Sequence, residues 1–359
     1  MSNKSNNSFE GLVCPLPLNN KKSIVIGHGS GGRMTHDLIR DIFQSSFGNP
    51  NLNTFNDFAG VSLPDRAKMK GKICVSTDAH IVNPIIFPGG DIGRLAISGT
   101  VNDISMSGGL PLYITSSFII EEGLSFDVLR TIATSMNSAA AEANVQIVAG
   151  DTKVVEKGKA DKLFISTAGI GWIPEGRQIG GEMAQEGDLV IISGTIGDHG
   201  IAVLAARGEL KFSTTIQSDV APLNHLIQKI LESAPHIHVL RDPTRGGLAT
   251  SLNEIAMQSQ VSLLLEEDAI PVKPEVQAAC EMLGFDPLYV ANEGKVIIIL
   301  PANEADAALQ ILHEHPLGKD AAKIGVVKKD PTKRVLMQTL IGGTRIVDML
   351  SGEMLPRIC

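Results

Sequence analysis

The chain has 359 residues, 43% of them hydrophobic but only 4% aromatic, and its 31 Lys and Arg against 39 Asp and Glu give a net charge of −8. That length favours two domains with aliphatic cores, and an acidic balance without a basic run argues against nucleic-acid binding through phosphate neutralisation. No apolar run approaches the ~20 residues that span a bilayer, and the polar opening MSNKSNNSFE lacks the apolar centre of a signal peptide, so the cytoplasm is the expected compartment.

Residues 1–22 read as a disordered lead-in. Residues 23–26 (SIVI) read as a strand, and 33–43 place Met34, Leu38, Ile39, Ile42 and Phe43 on one helical stripe. A strand at 72–77, a small-residue helix at 91–107 and a strand at 113–120 follow. Next come a helix at 125–143 behind the N-cap candidate Ser125 and strands at 145–149 and 163–170. The Gly-rich polar stretch 173–187 marks the expected boundary, giving domains at 23–175 and 176–347. In the second, strands are expected at 188–193, 236–240, 261–265, 295–300, 323–327, 334–338 and 345–347. Helices are expected there at about 200–207, 222–233, 247–257, 274–283 and 303–314. Residues 348–359 have no periodicity and read as a mobile tail.

Cysteines stand at 14, 74, 280 and 359, none in C-x-x-C spacing, so neither a zinc site nor a dithiol motif is indicated. Cys74 and Cys280 lie in apolar runs and read as core. Cys359 is the last residue; a thiol there is either an accident or a reactive tool, because reactivity depends on its surroundings.

The segment GHGSGG at 27–32 fits G-x-G-x-x-G, but the acid-ended second strand of a dinucleotide fold is missing: the corresponding stretch, SSFGNPNLNTFND, is polar and turn-rich. Bare backbone N–H groups near a helix start still suit phosphates, and a plain turn is the other reading. Aspartates close several apolar runs: Asp78 after CVST, Asp151 after IVAG and Asp242 after HVLR, while Asp103 sits beside Asn102 in a small, apolar stretch. Carboxylates converging on one cleft repel unless a cation joins them, and hard oxygen ligands beside a phosphate loop imply Mg²⁺ held between protein and ATP. For any one aspartate, helix capping is the plainer alternative, and at Asp91 capping and ligand binding can coexist. Lys153 follows Asp151 by two, so in a strand both face one side. Glu293 stands at a turn in ANEG. A surface lysine and a turn glutamate are the bland readings of these two.

Taken together, GHGSGG, STDAH, PGGDIGRLAISGTVNDISMSGG, GDTKVV, SGTIGDHG, RDPTRGGLATSLNEIA, ANEG and the closing PRIC resemble the HypE family of [NiFe]-hydrogenase maturation factors. These carbamoyl dehydratases sit in the superfamily of aminoimidazole ribonucleotide synthetase and selenophosphate synthetase. The resemblance runs from about residue 23 to 359. It implies an α/β (α+β) two-domain fold with a flexible C-terminal tail, a homodimer, and ATP and Mg²⁺ as cofactors. It places Gly27, His28, Gly29, Ser30, Gly31 and Gly32 over the triphosphate, with further ATP contacts from Asp78, His80, Asp91, Thr100, Asn102, Asp103 and Asp151. Asp78, Asp103, Asp151 and Asp242 take the magnesium positions, and Cys359, Lys153 and Glu293 the catalytic ones. It further implies the carbamoyltransferase HypF as donor, the HypC–HypD complex as cyanide acceptor, and no nucleic acid or membrane. The polar N-terminal extension and Cys14 have no counterpart in that pattern. A selenophosphate-synthetase-like phosphoryl-transfer enzyme is the alternative.

Overall fold

The computed structural model describes residues 22–54, 59–61, 63, 70–208, 215–350, 352 and 357–358. Cys14, the first 21 residues and Cys359 lie outside them.

The first domain begins with a departure from expectation. Ser23 makes only an isolated bridge to Ser125, and Ile26–Gly29 is a 3₁₀ turn rather than the end of a strand. The reason is local: the Val25 N–H donates to Nδ1 of His28 at 3.0 Å, three residues on, so the chain turns instead of extending. Helices α1 (Arg33–Leu38) and α2 (Ser45–Phe47) flank a π-helical segment at Ile39–Gln44, together covering the expected helix. Then come β1 (Gly71–His80), the short pair β2 (Ile86–Phe87) and β3 (Gly90–Asp91), α3 (Ile92–Met106), β4 (Leu110–Glu121), α4 (Phe126–Glu142), β5 (Gln146–Val155) and β6 (Leu163–Pro174). The sheet runs β1-β6-β4-β5, with only β4 and β5 parallel.

Alternation along β1 decides what the site can use. Ile73, Val75, Thr77 and Ala79 face outward, whereas Cys74, Ser76, Asp78 and His80 face inward, the side on which α3 packs. Both helices over the sheet start where their side chains can cap them. Asp91 accepts from the N–H groups of Gly93 and Arg94 at 2.7 and 3.0 Å, and Ser125 accepts from Asp127 N–H at 3.2 Å. The buried stripe of α4, Leu129, Ile132, Ala133 and Met136, closes the core against α3.

The second domain comprises β7 (Leu189–Ile192), α5 (Asp198–Ala206), α6 (Asn224–Ser233), β8 (Val239–Arg241), α7 (Gly247–Ser259), β9 (Ser262–Glu266), α8 (Pro274–Leu283), β10 (Ile297–Leu300), α9 (Ala305–Glu314), β11 (Ala322–Lys328), β12 (Val335–Gln338) and β13 (Thr344–Val347). Its seven strands run β13-β12-β9-β11-β7-β10-β8, mostly antiparallel. Strands β7 and β10 are buried on both faces, and separate aliphatic clusters fill the two sides of the sheet. Among the described residues no helix is long and apolar enough to cross a membrane.

Asn102, in the last turns of α3, ties the two domains. Its Nδ2 donates to the carbonyls of Ala221 (3.1 Å) and Glu293 (3.4 Å), and its Oδ1 accepts from Leu223 N–H at 2.7 Å. The side chain expected to touch ATP is therefore committed to backbone of the second domain. A buried amide left unpaired costs roughly 1–3 kcal/mol, so this bracket is firm.

Candidate functional site

Three of the expected aspartates come together. Asp78 lies on the inward face of β1, Asp103 follows the bracket residue Asn102 on α3, and Asp242 follows β8. Ser76 Oγ donates to Asp103 Oδ2 at 2.5 Å, and Arg245 approaches Asp78 at 3.7 Å. Burial pushes Asp103 above the usual carboxylate range, with Asp78 adding to the effect. Burial pushes Asp242 up to about 7, helped by the charges of Asp103 and Asp78. The three carboxylates thus lie close enough that their charges oppose the ionisation of Asp103 and Asp242. Among the described residues, no group of three or more Asp, Glu, His or Cys is arranged to hold a metal ion unaided.

Asp151 stands elsewhere. It is exposed on β5, where Lys153 Nζ lies 3.4 Å from its Oδ1, so the two share a face as the i, i+2 spacing predicts. But β1 and β5 are opposite edges of the sheet, three strands or about 14 Å apart. The register aligns Asp151 with Ser117, Ser166 and the outward-facing Ala79, one residue out of step with Asp78. Within one chain, then, Asp151 and Lys153 lie on the outer face and Asp78 on the inner one.

The Gly-rich loop belongs with Asp151 and Lys153. A Cβ on Gly29 would stand 2.3 Å from the Val154 nitrogen, so only glycine lets the loop rest on β5 there. Ser30 Oγ and Thr35 Oγ1 close the turn onto the Gly27 carbonyl at 2.9 and 3.4 Å, and Gly31 N–H is held by Thr35 Oγ1. His28 is buried edge-on against Phe126, and burial lowers its pKa; it packs inward. Lacking a preceding strand, the loop is not the β-to-α turn of a dinucleotide fold. His80 and Thr100 meet at Thr167, whose Oγ1 lies 3.4 Å from His80 Nε2 and 2.6 Å from Thr100 Oγ1; both side chains are buried beneath Asp78. Asp91 is the buried cap of α3, its pKa raised by that burial.

Glu293 is buried beside the aspartate cluster, its carbonyl held by Asn102, the neighbour of Asp103. Residues that carried no local signal fix it. Asn292, fully buried, accepts from Gly197 N–H at 2.7 Å and donates to the Pro243 carbonyl at 2.9 Å, pinning the turn to the residue after Asp242. Asp219 accepts from Glu293 N–H at 3.1 Å and from Lys295 Nζ at 3.0 Å. Burial alone would raise the Asp219 pKa, but the Lys295 charge and these hydrogen bonds outweigh it and hold the pKa below the usual value. Gly294 cannot carry a side chain, since a Cβ would lie 1.9 Å from the Asp219 carbonyl oxygen.

The same cluster receives the end of the chain. Ile358 is buried in the apolar cluster that includes Val203, Val220 and Ala291, and its carbonyl lies 2.7 Å from His199 Nε2. The Arg357 carbonyl accepts from Asn83 N–H at 3.2 Å and Arg207 Nη2 at 2.8 Å, while the Arg357 side chain pairs with Asp161 at 2.8 Å. Hydrogen bonds link Asn102, the residue before Asp103 on α3, to Glu293 and Glu293 to Asp219; the Asp219 charge acts on His199, which holds Ile358, the residue before Cys359. The other described thiols differ. Cys74 is half-buried rather than core, Cys280 is buried, and burial raises both pKa values, Cys280 to about 11. Both are poor nucleophiles at neutral pH.

Residues 56–173 match the family described as AIR synthase related protein, N-terminal domain, and 185–338 the corresponding C-terminal domain. The chain is 52% identical to the carbamoyl dehydratase HypE of Cupriavidus necator over 344 residues, 96% of this chain and 97% of that protein. It superposes on a crystal structure of the hydrogenase maturation protein HypE in complex with ATP at TM-score 0.88 and 50% identity, covering 93% of this chain and 99% of that one. It also matches a chain in a crystal structure of a HypE–HypF complex at TM-score 0.75 and 49% identity, covering 87% and 99%.

Proposed function

Because the chain belongs to the carbamoyl dehydratase HypE family of AIR-synthase-related proteins, we propose that it uses ATP to dehydrate an S-carbamoyl group on Cys359 to a thiocyanate, a source of cyanide for the iron of [NiFe]-hydrogenase. The observation that carries this reading is that Glu293 is tied on one side to Asn102, next to Asp103, and on the other to Asp219, whose charge acts on the His199 that holds the Arg357–Ile358 segment.

The substrate is S–C(=O)–NH₂, and hydroxide is a poor leaving group. Transfer of the γ-phosphoryl of ATP to the carbonyl oxygen, with loss of one N–H proton, gives an O-phosphoryl imidate and ADP. Removal of the remaining N–H proton and departure of phosphate leave S–C≡N. Positioning and charge stabilisation dominate such a transfer. Asp78, Asp103 and Asp242 would hold Mg²⁺, which neutralises charge on the phosphoryl group. Glu293 would take the N–H proton, its position fixed through its own amide and carbonyl. The Gly27–Gly32 loop presents backbone to the triphosphate, and Asp151 and Lys153 stand beside it.

Those last residues lie on the outer face of the first sheet with Ile73 and Val75, which are 58% and 75% exposed. A second copy of the chain packed on this face would cover that apolar surface and set Asp151 and Lys153 at an ATP site shared between subunits. A HypF-type carbamoyltransferase would supply the carbamoyl group, and a HypC–HypD-type complex would accept cyanide. The selenophosphate-synthetase-like alternative is not favoured, since nearly the whole chain matches carbamoyl dehydratases at about half identity.

Intact-mass spectrometry after incubation with the carbamoyl donor tests the proposal. The expected result is a carbamoyl adduct that loses the mass of one water only when Mg-ATP is added, and no adduct on Cys359→Ala. An adduct on that variant, or one on the wild type that ATP leaves unchanged, refutes it.

A further inference from the structure

The reading of the sequence assigned no role to His199, inside SGTIGDHG, and the dehydration chemistry does not use it. It is fully buried on α5. A carbonyl only accepts, so the 2.7 Å contact to the Ile358 oxygen requires a proton on Nε2. Nδ1 lies 2.8 Å from Ser218 Oγ, which itself accepts from Val220 N–H at 3.1 Å. Burial lowers the His199 pKa, with Asp219 pulling the other way. A neutral ring satisfies every partner: Ser218 donates to Nδ1, and Nε2–H donates to Ile358. Phe87 stands edge-on at 5.5 Å and fixes the ring plane. Eight residues on, just past the end of α5, Arg207 holds the next carbonyl back, that of Arg357, and anchors itself on the Asn83 carbonyl at 2.8 Å. Arg357 adopts φ 55°, a conformation uncommon for a side-chain-bearing residue, and these bonds together with Asp161 hold it there.

We propose that His199 is a positioning residue that, with Arg207 and Asn83, latches the carbonyls of Ile358 and Arg357 in the seat next to the Asp219–Glu293 framework and so limits how far the end of the tail can range. Its catalytic consequence rests on the dehydratase reading above; the latch itself does not. Two consecutive carbonyls are held, one by His199 on α5 and the other by Arg207 just past its end together with Asn83 N–H, and buried Ile358 sets how deep the segment enters.

The Arg357–Ile358 bond is a trypsin site whose carbonyl is the one Arg207 and Asn83 hold. Limited trypsinolysis of the full chain, read by intact mass as loss of the terminal Ile-Cys, therefore reports latch opening. Loss of one well-placed buried hydrogen bond should speed this cleavage about tenfold in His199→Phe, which keeps the ring contact with Phe87 but has no donor. His199→Gln should recover most of the protection. Arg207→Ala, at the helix end, should open the same bond and serves where the buried substitution fails to fold. Equal cleavage in wild type, His199→Phe and Arg207→Ala overturns the latch. With carbamoylated protein, His199→Phe should lower the single-turnover dehydration rate while leaving the ATP concentration dependence unchanged. Unaltered dehydration in a variant with an opened tail also overturns the positioning role. If the wild-type adduct is never dehydrated, the dehydratase reading fails and the protease result still judges the latch.

Discussion

Replacing Asp242 by Asn should stabilise the protein in the absence of magnesium and nucleotide, increasingly so as pH rises from about 4 to about 7. The carboxyl is raised from 3.8 to about 7 by burial and by the charges of Asp103 and Asp78. That gap, at ~1.4 kcal/mol per pH unit, sets an upper bound of about 4 kcal/mol on the cost of ionising it in the folded chain. Below pH ~4 the group is protonated in both states and costs nothing. Between there and about 7 the folded chain retains a proton that the unfolded chain has lost, so stability falls as pH rises. Above that window both states are ionised and the full cost remains. Relaxation and solvent reduce the bound, so ~2 kcal/mol is the working expectation at pH 8, worth several degrees in Tm. The assay is a pair of thermal melts, wild type and Asp242→Asn, from pH 5 to 8.5 in chelator. The variant should gain on the wild type from pH 5 to about 7 and then hold a constant lead, and Mg-ATP should stabilise the wild type far more than the variant. A Tm difference that does not change with pH would refute the electrostatic reasoning. So would a variant less stable than wild type at pH 8.

Glu293→Gln preserves the buried volume and the two backbone contacts, so the protein should fold and accept a carbamoyl group, while single-turnover dehydration falls about 10²- to 10⁴-fold as for a lost general base; an undiminished rate removes Glu293 from the mechanism. Gly29→Ala forces the loop off Val154 and should weaken ATP binding about tenfold or more by titration calorimetry, with little change in circular dichroism. Val75→Lys, on the exposed outer face of β1, should shift the protein to a monomer in sedimentation and reduce ATP affinity, because Asp151 and Lys153 then lose the opposing subunit; a dimer of normal affinity would place the interface elsewhere.

Much of the fold was legible because its signals are local. The helix at Pro274–Leu283 falls where the 3.6-residue period, a first-turn proline and a closing glycine all agree. Ser125 caps its helix as read, and Asp91 caps α3, the plainer of its two expected roles. The apolar run at 23–26 misled because four such residues fit a strand as well as a turn, and the deciding bond comes from the ring of His28. Of the site, carboxylates at strand ends stand out in the sequence, but which of them share a cavity is set by strand order. Asp78 and Asp151 look equivalent along the chain and lie on opposite faces and edges of one sheet.

What no local pattern could supply is the framework behind Glu293. Asp219 and Lys295 are 76 positions apart, and His199 meets Ile358 across 159. Asn292 joins three segments that the sequence shows only as separate motifs. These groups are polar and buried, and each is paired with backbone or with an opposite charge. Truncating one therefore leaves its partner desolvated and unmatched, at roughly 1–3 kcal/mol for a neutral group and more for a charge. The same arrangement that fixes Glu293 beside the aspartates fixes the seat of the tail. The acid cluster and the seat of the tail thus both draw on the two domains, on either side of the Asn102 bracket that joins them. That shared seat is how a group on a terminus can be brought to one spot: the tail meets His199 on α5 and Arg207 just past it, Asn83 and Asp161 of the first domain, and one apolar socket.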